Sequence, residues 1–243
     1  ELSGSFVGSM PSEYSSLVYL SIFKLTSDTM RQSIPDWIDN WSNLTSIALS
    51  GNGLIGTLPD SFFRLSRLQS ISIVDGAISG TISSSLGNLS SLEYLDLTRS
   101  NFVGPLPSSI GLLTQLRELY ISYTSISGPI PPEIAGLSAL EAFAAHSLSG
   151  PGLGQLPDEI GHLPRLLDLD LTSSGLTGTI PKSINMLHRL RELILDWNSL
   201  IGDFPPLSPH LTSLTLLVGH NELSGGLENL SGLPATFRSR DFS

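Results

Sequence analysis

Few side chains in this 243-residue chain could carry chemistry, and their types favour recognition over catalysis. The chain holds no cysteine, so disulfide and thiolate chemistry are closed to it. The His-Glu-x-x-His zinc signature, the Gly-x-Ser-x-Gly nucleophile elbow and the phosphate-binding loop are all missing. Gly150, Gly152 and Gly154 alternate superficially like a phosphate loop but lack the lysine and helix that would complete one. The histidines fall at different repeat phases, His162 and His188 apart from His146 and His220, so no metal-ligand spacing emerges. No catalytic residue, cofactor or metal is expected. What remains is a group of aromatic and acidic residues. Tyr94, Tyr120 and Tyr123 cluster beside Arg99, and Asp168, Asp170, Glu192 and Asp196 form an acidic patch edged by Trp197. Aromatics with polar tips serve as binding anchors, and a carboxylate patch steers a basic partner.

Those residues are positioned by a repeat. Units begin at Leu17, Leu44, Leu68, Leu92, Leu116, Leu140, Leu166 and Leu190, with a looser ninth at Ser213, at intervals of 27, 24, 24, 24, 24, 26, 24 and 23. The unit at Leu44 shows the pattern in Ile47, Leu49, Asn52, Leu54, Gly56, Leu58 and Pro59. Alternation in Ile47-Ala48-Leu49 puts core residues on one side of a short strand and variable residues on the other. Gly56 permits a special φ or close backbone approach, and Pro59 ends the extended run. The next segment, with apolar Phe62, Phe63 and Leu65, should turn back as a short helical or 3-10 piece.

This grammar resembles the plant-type leucine-rich repeat, marked by L-x-G-x-[IL]-P after L-x-x-L-x-L-x-x-N. The resemblance covers nearly the whole chain. It implies an α/β fold: a right-handed solenoid with one parallel concave β-sheet and short helical or 3-10 convex segments. Strand centres are expected at Ile47, Ile71, Leu95, Leu119, Phe143, Leu169 and Leu193. Residues 1–243 read as one domain of about nine repeats with partial terminal units, because each unit buries its leucines only against its neighbours. Extra residues at Lys24–Ser33 and His146–Gly154 read as loop insertions. The cysteine caps usual in the family are missing, so the chain reads as a segment of a longer protein or as an atypical member.

In such a solenoid the second, fourth, sixth and seventh positions after each first leucine form rows across the concave face. These rows gather the candidate contact residues Tyr94, Asp96, Arg99, Glu118, Tyr120, Tyr123, His146, Asp168, Asp170, Glu192, Asp196 and Trp197. At the N-terminal end, Ser46, Ala48, Ser50, Ser70 and Ser72 make a floor of small residues. The eighth position, an asparagine in the family, is Asn52, Asn198 and Asn221 but Leu25, Gly76, Ser100, Thr124, Leu148 and Ser174 elsewhere. Serine and threonine can replace part of its hydrogen bonding; glycine and leucine cannot. That substituted ladder, with the stretch Tyr120 to Gly128, is similar to polygalacturonase-inhibiting proteins.

A formal net charge of -10, from 12 basic and 22 acidic residues, argues against nucleic-acid binding. No apolar run reaches membrane-spanning length. Charged residues are only 14% of the chain, which suits an extracellular surface. Four N-glycosylation sequons begin at Asn40, Asn43, Asn88 and Asn229. The expected function follows from the resemblance to receptor-like kinases, receptor-like proteins and enzyme inhibitors. It is an extracellular binding module that takes a protein, peptide or glycan, basic in character, on its concave face. The alternative is a structural glycoprotein solenoid of a wall, sheath or filament. Ice binding is the weakest alternative, since Pro105, Pro129 and Asp203 interrupt a row containing Thr57, Thr81 and Thr179.

Overall fold

The computed structural model describes residues 1–4, 10–26, 31–51, 53–208, 211 and 214–224. Its main element follows from the period-two alternation. Strand Ser46–Ser50 buries Ile47 and Leu49 and leaves Ser46, Ala48 and Ser50 half-exposed, and Ser70–Val74 repeats the pattern one unit later. Neighbouring strands pair in parallel with no slip of register: Ile47 lies beside Ile71, Ile71 beside Leu95, and Leu95 beside Leu119. Phe143 pairs with Leu119 and Leu169, and Leu169 with Leu193. The expected strand centres thus form one buried row. They belong to a ten-stranded sheet running from Leu2–Gly4 to Thr215–Leu217, one strand per repeat and without crossovers.

Beyond this sheet, two four-stranded parallel sheets line the flank. One contains Ile55–Gly56, Ala77–Thr81, Asn101–Gly104 and Ser125–Ile126; the other contains Gly154–Gln155, Leu176–Thr179, Ser199–Gly202 and Glu222–Leu223. Their strands are short and six of the eight include the repeat's glycine, so no apolar alternation announces them. The gap between the two sheets falls at the extra residues around Ser147 to Gly154. That insertion is packed into the wall: Gly128 N–H donates to the Gly152 carbonyl at 2.8 Å, and Leu153 is buried. Gly56 has a φ of 83°, which a side chain would make costly.

The return segment is a five-residue 3-10 turn in each of eight repeats among the described residues. Pro11, Pro35, Pro59, Pro107, Pro131, Pro157 and Pro181 stand immediately before seven of these turns, supplying the extended backbone that launches them. Ser83 takes the place of proline once, and its Oγ accepts the Ser85 N–H at 3.1 Å. Phe62, Phe63 and Leu65 are buried as their pattern requires. In the middle repeats the turns touch backbone to backbone. A Cβ on Gly111 would sit 2.2 Å from the Glu133 carbonyl oxygen, and one on Gly136 would sit 2.2 Å from that of Gly111. Between sheet and turns lies one continuous apolar core, headed at the N-terminal end by Trp41, whose indole N–H donates to the Tyr14 carbonyl at 2.7 Å.

Candidate functional site

The register of the long sheet places the expected rows side by side. Tyr94 lies beside Glu118, Glu118 beside Ala142, Ala142 beside Asp168, and Asp168 beside Glu192. One pleat further along, Asp96, Tyr120, Ala144, Asp170 and Ile194 line up in the same order. The two alanines leave a low saddle between an aromatic group and an acidic group. Toward the N-terminus the same rows are Ser46–Ser70 and Ala48–Ser72, a floor without anchors.

The aromatic group consists of two linked arrangements. Tyr94 and Tyr120 meet edge to face with centroids 5.8 Å apart. Their hydroxyls donate to Asp96 at 3.2 Å and to Glu118 at 2.8 Å. Burial, reinforced by the Asp96 charge, pushes the Tyr94 phenol up to about 12; burial and the Glu118 hydrogen bond raise Tyr120 further. Both therefore stay neutral donors at physiological pH. Tyr123, 46% exposed, meets His146 edge to face at 4.9 Å, and the Arg99 guanidinium lies 4.9 Å from its ring centroid.

At the other end Trp197 is 59% exposed and stacks on His220, with centroids 3.6 Å apart and planes 7° from parallel. His220 was not among the expected contact residues. Its place one repeat beyond Trp197 in the same row was the available signal. Arg99, Tyr123, Trp197 and His220, with Asp75, Ser147 and Ser173, all have φ between 49° and 58°. For bulky side chains this left-handed conformation is uncommon, and repeat after repeat imposes it. It turns the row outward at the rim of the sheet, where sequence alone gave no hint of the backbone geometry.

The carboxylates divide by role. Asp96 accepts the Thr98 N–H at 2.9 Å, and Asp170 accepts the Thr172 N–H at 3.0 Å and its hydroxyl at 2.7 Å. These two close the turn after their own strand. Asp168 and Glu192 stay on the open face, with Asp168 raised above the usual aspartate range by burial that nearby Arg191 only partly offsets. Asp196 sits half-buried beside Trp197 at the rim.

Beneath the rim, Asn198 shows what the family asparagine does. Its Nδ2 donates to the carbonyls of Leu171 at 2.8 Å, Leu195 at 2.9 Å and Asp196 at 3.1 Å, while Oδ1 accepts from the N–H of Ser174 at 3.1 Å and of Leu176 at 2.9 Å. Thr124 and Ser174 keep one such donation, to the Ile121 and Leu171 carbonyls at 2.7 and 2.6 Å, and Ser100 donates to Leu97. Leu25 is buried in the core instead. Asn52 lies outside the described residues.

Of the sequon asparagines, Asn40 and Asn88 occupy the same place, the exposed last residue of a 3-10 turn. Asn43 is half-buried; its Nδ2 donates to the Val18 carbonyl at 2.8 Å and its Oδ1 accepts from Arg67 at 2.6 Å. Asn229 lies outside the described residues.

The comparisons agree with this architecture. The leucine-rich repeat family model matches residues 43–65, 91–113 and 115–137. No curated protein sequence matches the chain. A solved plant peptide hormone receptor, RGFR1 in complex with RGF2, is similar over 96% of this chain and 38% of its own, at 29% identity and a TM-score of 0.83. The ectodomain of the Arabidopsis receptor kinase HAESA, in complex with an extended IDA peptide hormone ligand, is similar over 93% of this chain and 43% of its own, at 30% identity and 0.67. A plant ice-binding protein is similar over 85% of this chain and 66% of its own, at 25% identity and 0.67. The chain spans about two fifths of the length of the receptor structures it matches. Repeat signature, parallel register and these likenesses converge: the chain matches plant-type leucine-rich repeat proteins in both repeat pattern and fold.

Proposed function

We propose that this chain is an extracellular binding module whose long sheet takes an extended basic peptide across its C-terminal half. One observation carries the reading: Tyr94 and Tyr120 rise on one side of the Ala142–Ala144 saddle, with Asp168 and Glu192 on the other. Rigid aromatic edges supply desolvated area at low entropy cost, and the carboxylates attract a cationic side chain. The likeness to receptor structures solved with RGF2 and with an IDA peptide supports a peptide over a glycan. The exposed asparagines at Asn40 and Asn88 support passage through a glycosylating pathway.

The test is calorimetric titration with capped peptides that pair lysine or arginine with an apolar residue. Saturable binding that Tyr120→Ala and Trp197→Ala each weaken by about tenfold or more is expected. A partner that contacts only the 3-10 turns or the solenoid ends, untouched by both changes, would instead favour the structural-solenoid reading. The flank does not favour ice: Thr57, Thr81 and Thr179 are exposed, but Pro105, Pro129 and Asp203 break their row, so no thermal hysteresis is expected.

A further inference from the structure

The flank changes character where its two sheets part. The first residue of the 3-10 turn is uncharged in the middle repeats, as Ser84, Ser108 and Pro132, and then becomes Asp158 and Lys182. At this place the surface opens into two adjoining clefts of about 630 and 350 Å³ that share Asp158, Thr179 and Pro181. Together they make one groove from Pro129 to Pro206, away from the open face of the long sheet. Toward Asp203 its floor is apolar, formed by the buried Ile180, Pro181 and Phe204, whereas the end near Pro129 and Gln155 is more polar. Its rim carries Asp158 and Asp203 against a single ammonium, Lys182, all exposed. Among the described residues neither Asp158 nor Lys182 forms an ion pair. Asp203 accepts one hydroxyl hydrogen bond, from Ser224 at 3.0 Å.

An apolar floor beneath a net negative rim matches an extended chain whose side chains alternate, one down and the next up. The aliphatic stem of a lysine or arginine can lie on proline and phenylalanine while its charge reaches a carboxylate. From Pro129 to Asp203 the groove crosses three repeat spacings, roughly 14 Å at sheet spacing, the reach of about four extended residues. We propose that this groove is a second docking site, for a short extended segment of a partner protein that places an apolar residue on the Ile180–Phe204 floor and a lysine or arginine between Asp158 and Asp203. It would leave the long sheet free, so a ligand there and a partner on the flank could be held together.

The experiment is an NMR titration of the full chain with the capped tetrapeptide Ile-Lys-Ile-Arg. Shifts should centre on Gln155, Asp158, Thr179 and Lys182. The Asp158→Asn/Asp203→Asn double variant should weaken the binding read from the groove shifts by about fivefold or more, since two rim charges are lost, while Ser70→Ala leaves it unchanged. Thr179→Phe, which fills the groove without touching a charge, should also weaken it. The proposal is overturned if shifts appear on the Tyr94–Trp197 face and none at the groove, if both groove variants bind there like the parent chain, or if no saturable groove shift appears at millimolar peptide.

Discussion

The two halves of the long sheet are built on one scaffold and carry different faces. Around Ile47 and Ile71 the strand register, buried rows and following turns match those around Leu119 and Leu169. Yet at the second and fourth positions the outward residues are serine and alanine around Ile47 and Ile71, and tyrosine, aspartate and glutamate around Leu119 and Leu169. One strand register under unlike surfaces separates the two demands on the sequence. Periodic leucines and isoleucines hold the fold, and the residues between them are free to vary without disturbing it.

If that separation is right, the largest effects come from the shared scaffold and are equal in both halves. Ile47→Ala and Leu119→Ala should each cost about 2–5 kcal/mol in urea unfolding, because each empties a fully buried site in the same row. A much smaller cost under the serine floor would break the comparison. Next come the surface anchors. Tyr120→Ala or Trp197→Ala should weaken a bound peptide by about tenfold or more with little change in stability, whereas Ser70→Ala should leave affinity within about twofold.

A subtler test uses acid. Burial raises Asp168, so on acidification it takes up its proton earlier than an ordinary aspartate and loses its attraction for a cation. Affinity for a basic peptide should therefore begin to fall above the usual aspartate range, and Asp168→Asn should remove that early phase. The linkage to folding has the opposite sense: a carboxyl raised in the folded state favours folding below its unfolded pKa, and that contribution is lost as pH rises through the folded value. Smallest in energetic terms is the sugar. Mass spectrometry of protein from a glycosylating host should find Asn88 and Asn40 occupied ahead of Asn43, whose amide is already tied to Val18 and Arg67.

The fold was legible wherever it depends on period. Strand centres, the apolar 3-10 segment around Phe62 and the place of the His146–Gly154 insertion between two repeats could be read because each recurs or interrupts a recurrence; that the insertion packs into the wall rather than looping out could not. The flank sheets were not, since their strands, two to five residues long, lack an apolar alternation. For the open face, the row neighbours followed from register alone, but the side-chain pairings did not. Sequence could place Asp170 beside Asp168 in strand phase; it could not say that Thr172 would claim the Asp170 carboxylate. Nor could it place Tyr123 and Trp197 in left-handed backbone, because neither residue type signals that conformation.

The backbone contact between Gly111 and Gly136 has a mechanical consequence for the face opposite it. With no side chain to compress between those turns, the convex spine has almost no travel there. Flattening or tightening the arc would have to separate or crush backbone atoms. The spacing of Tyr94 and Tyr120, which lie on the same two repeats, is therefore close to a fixed gauge length, and a peptide bound there as proposed would have to match it as an object matches a ruler.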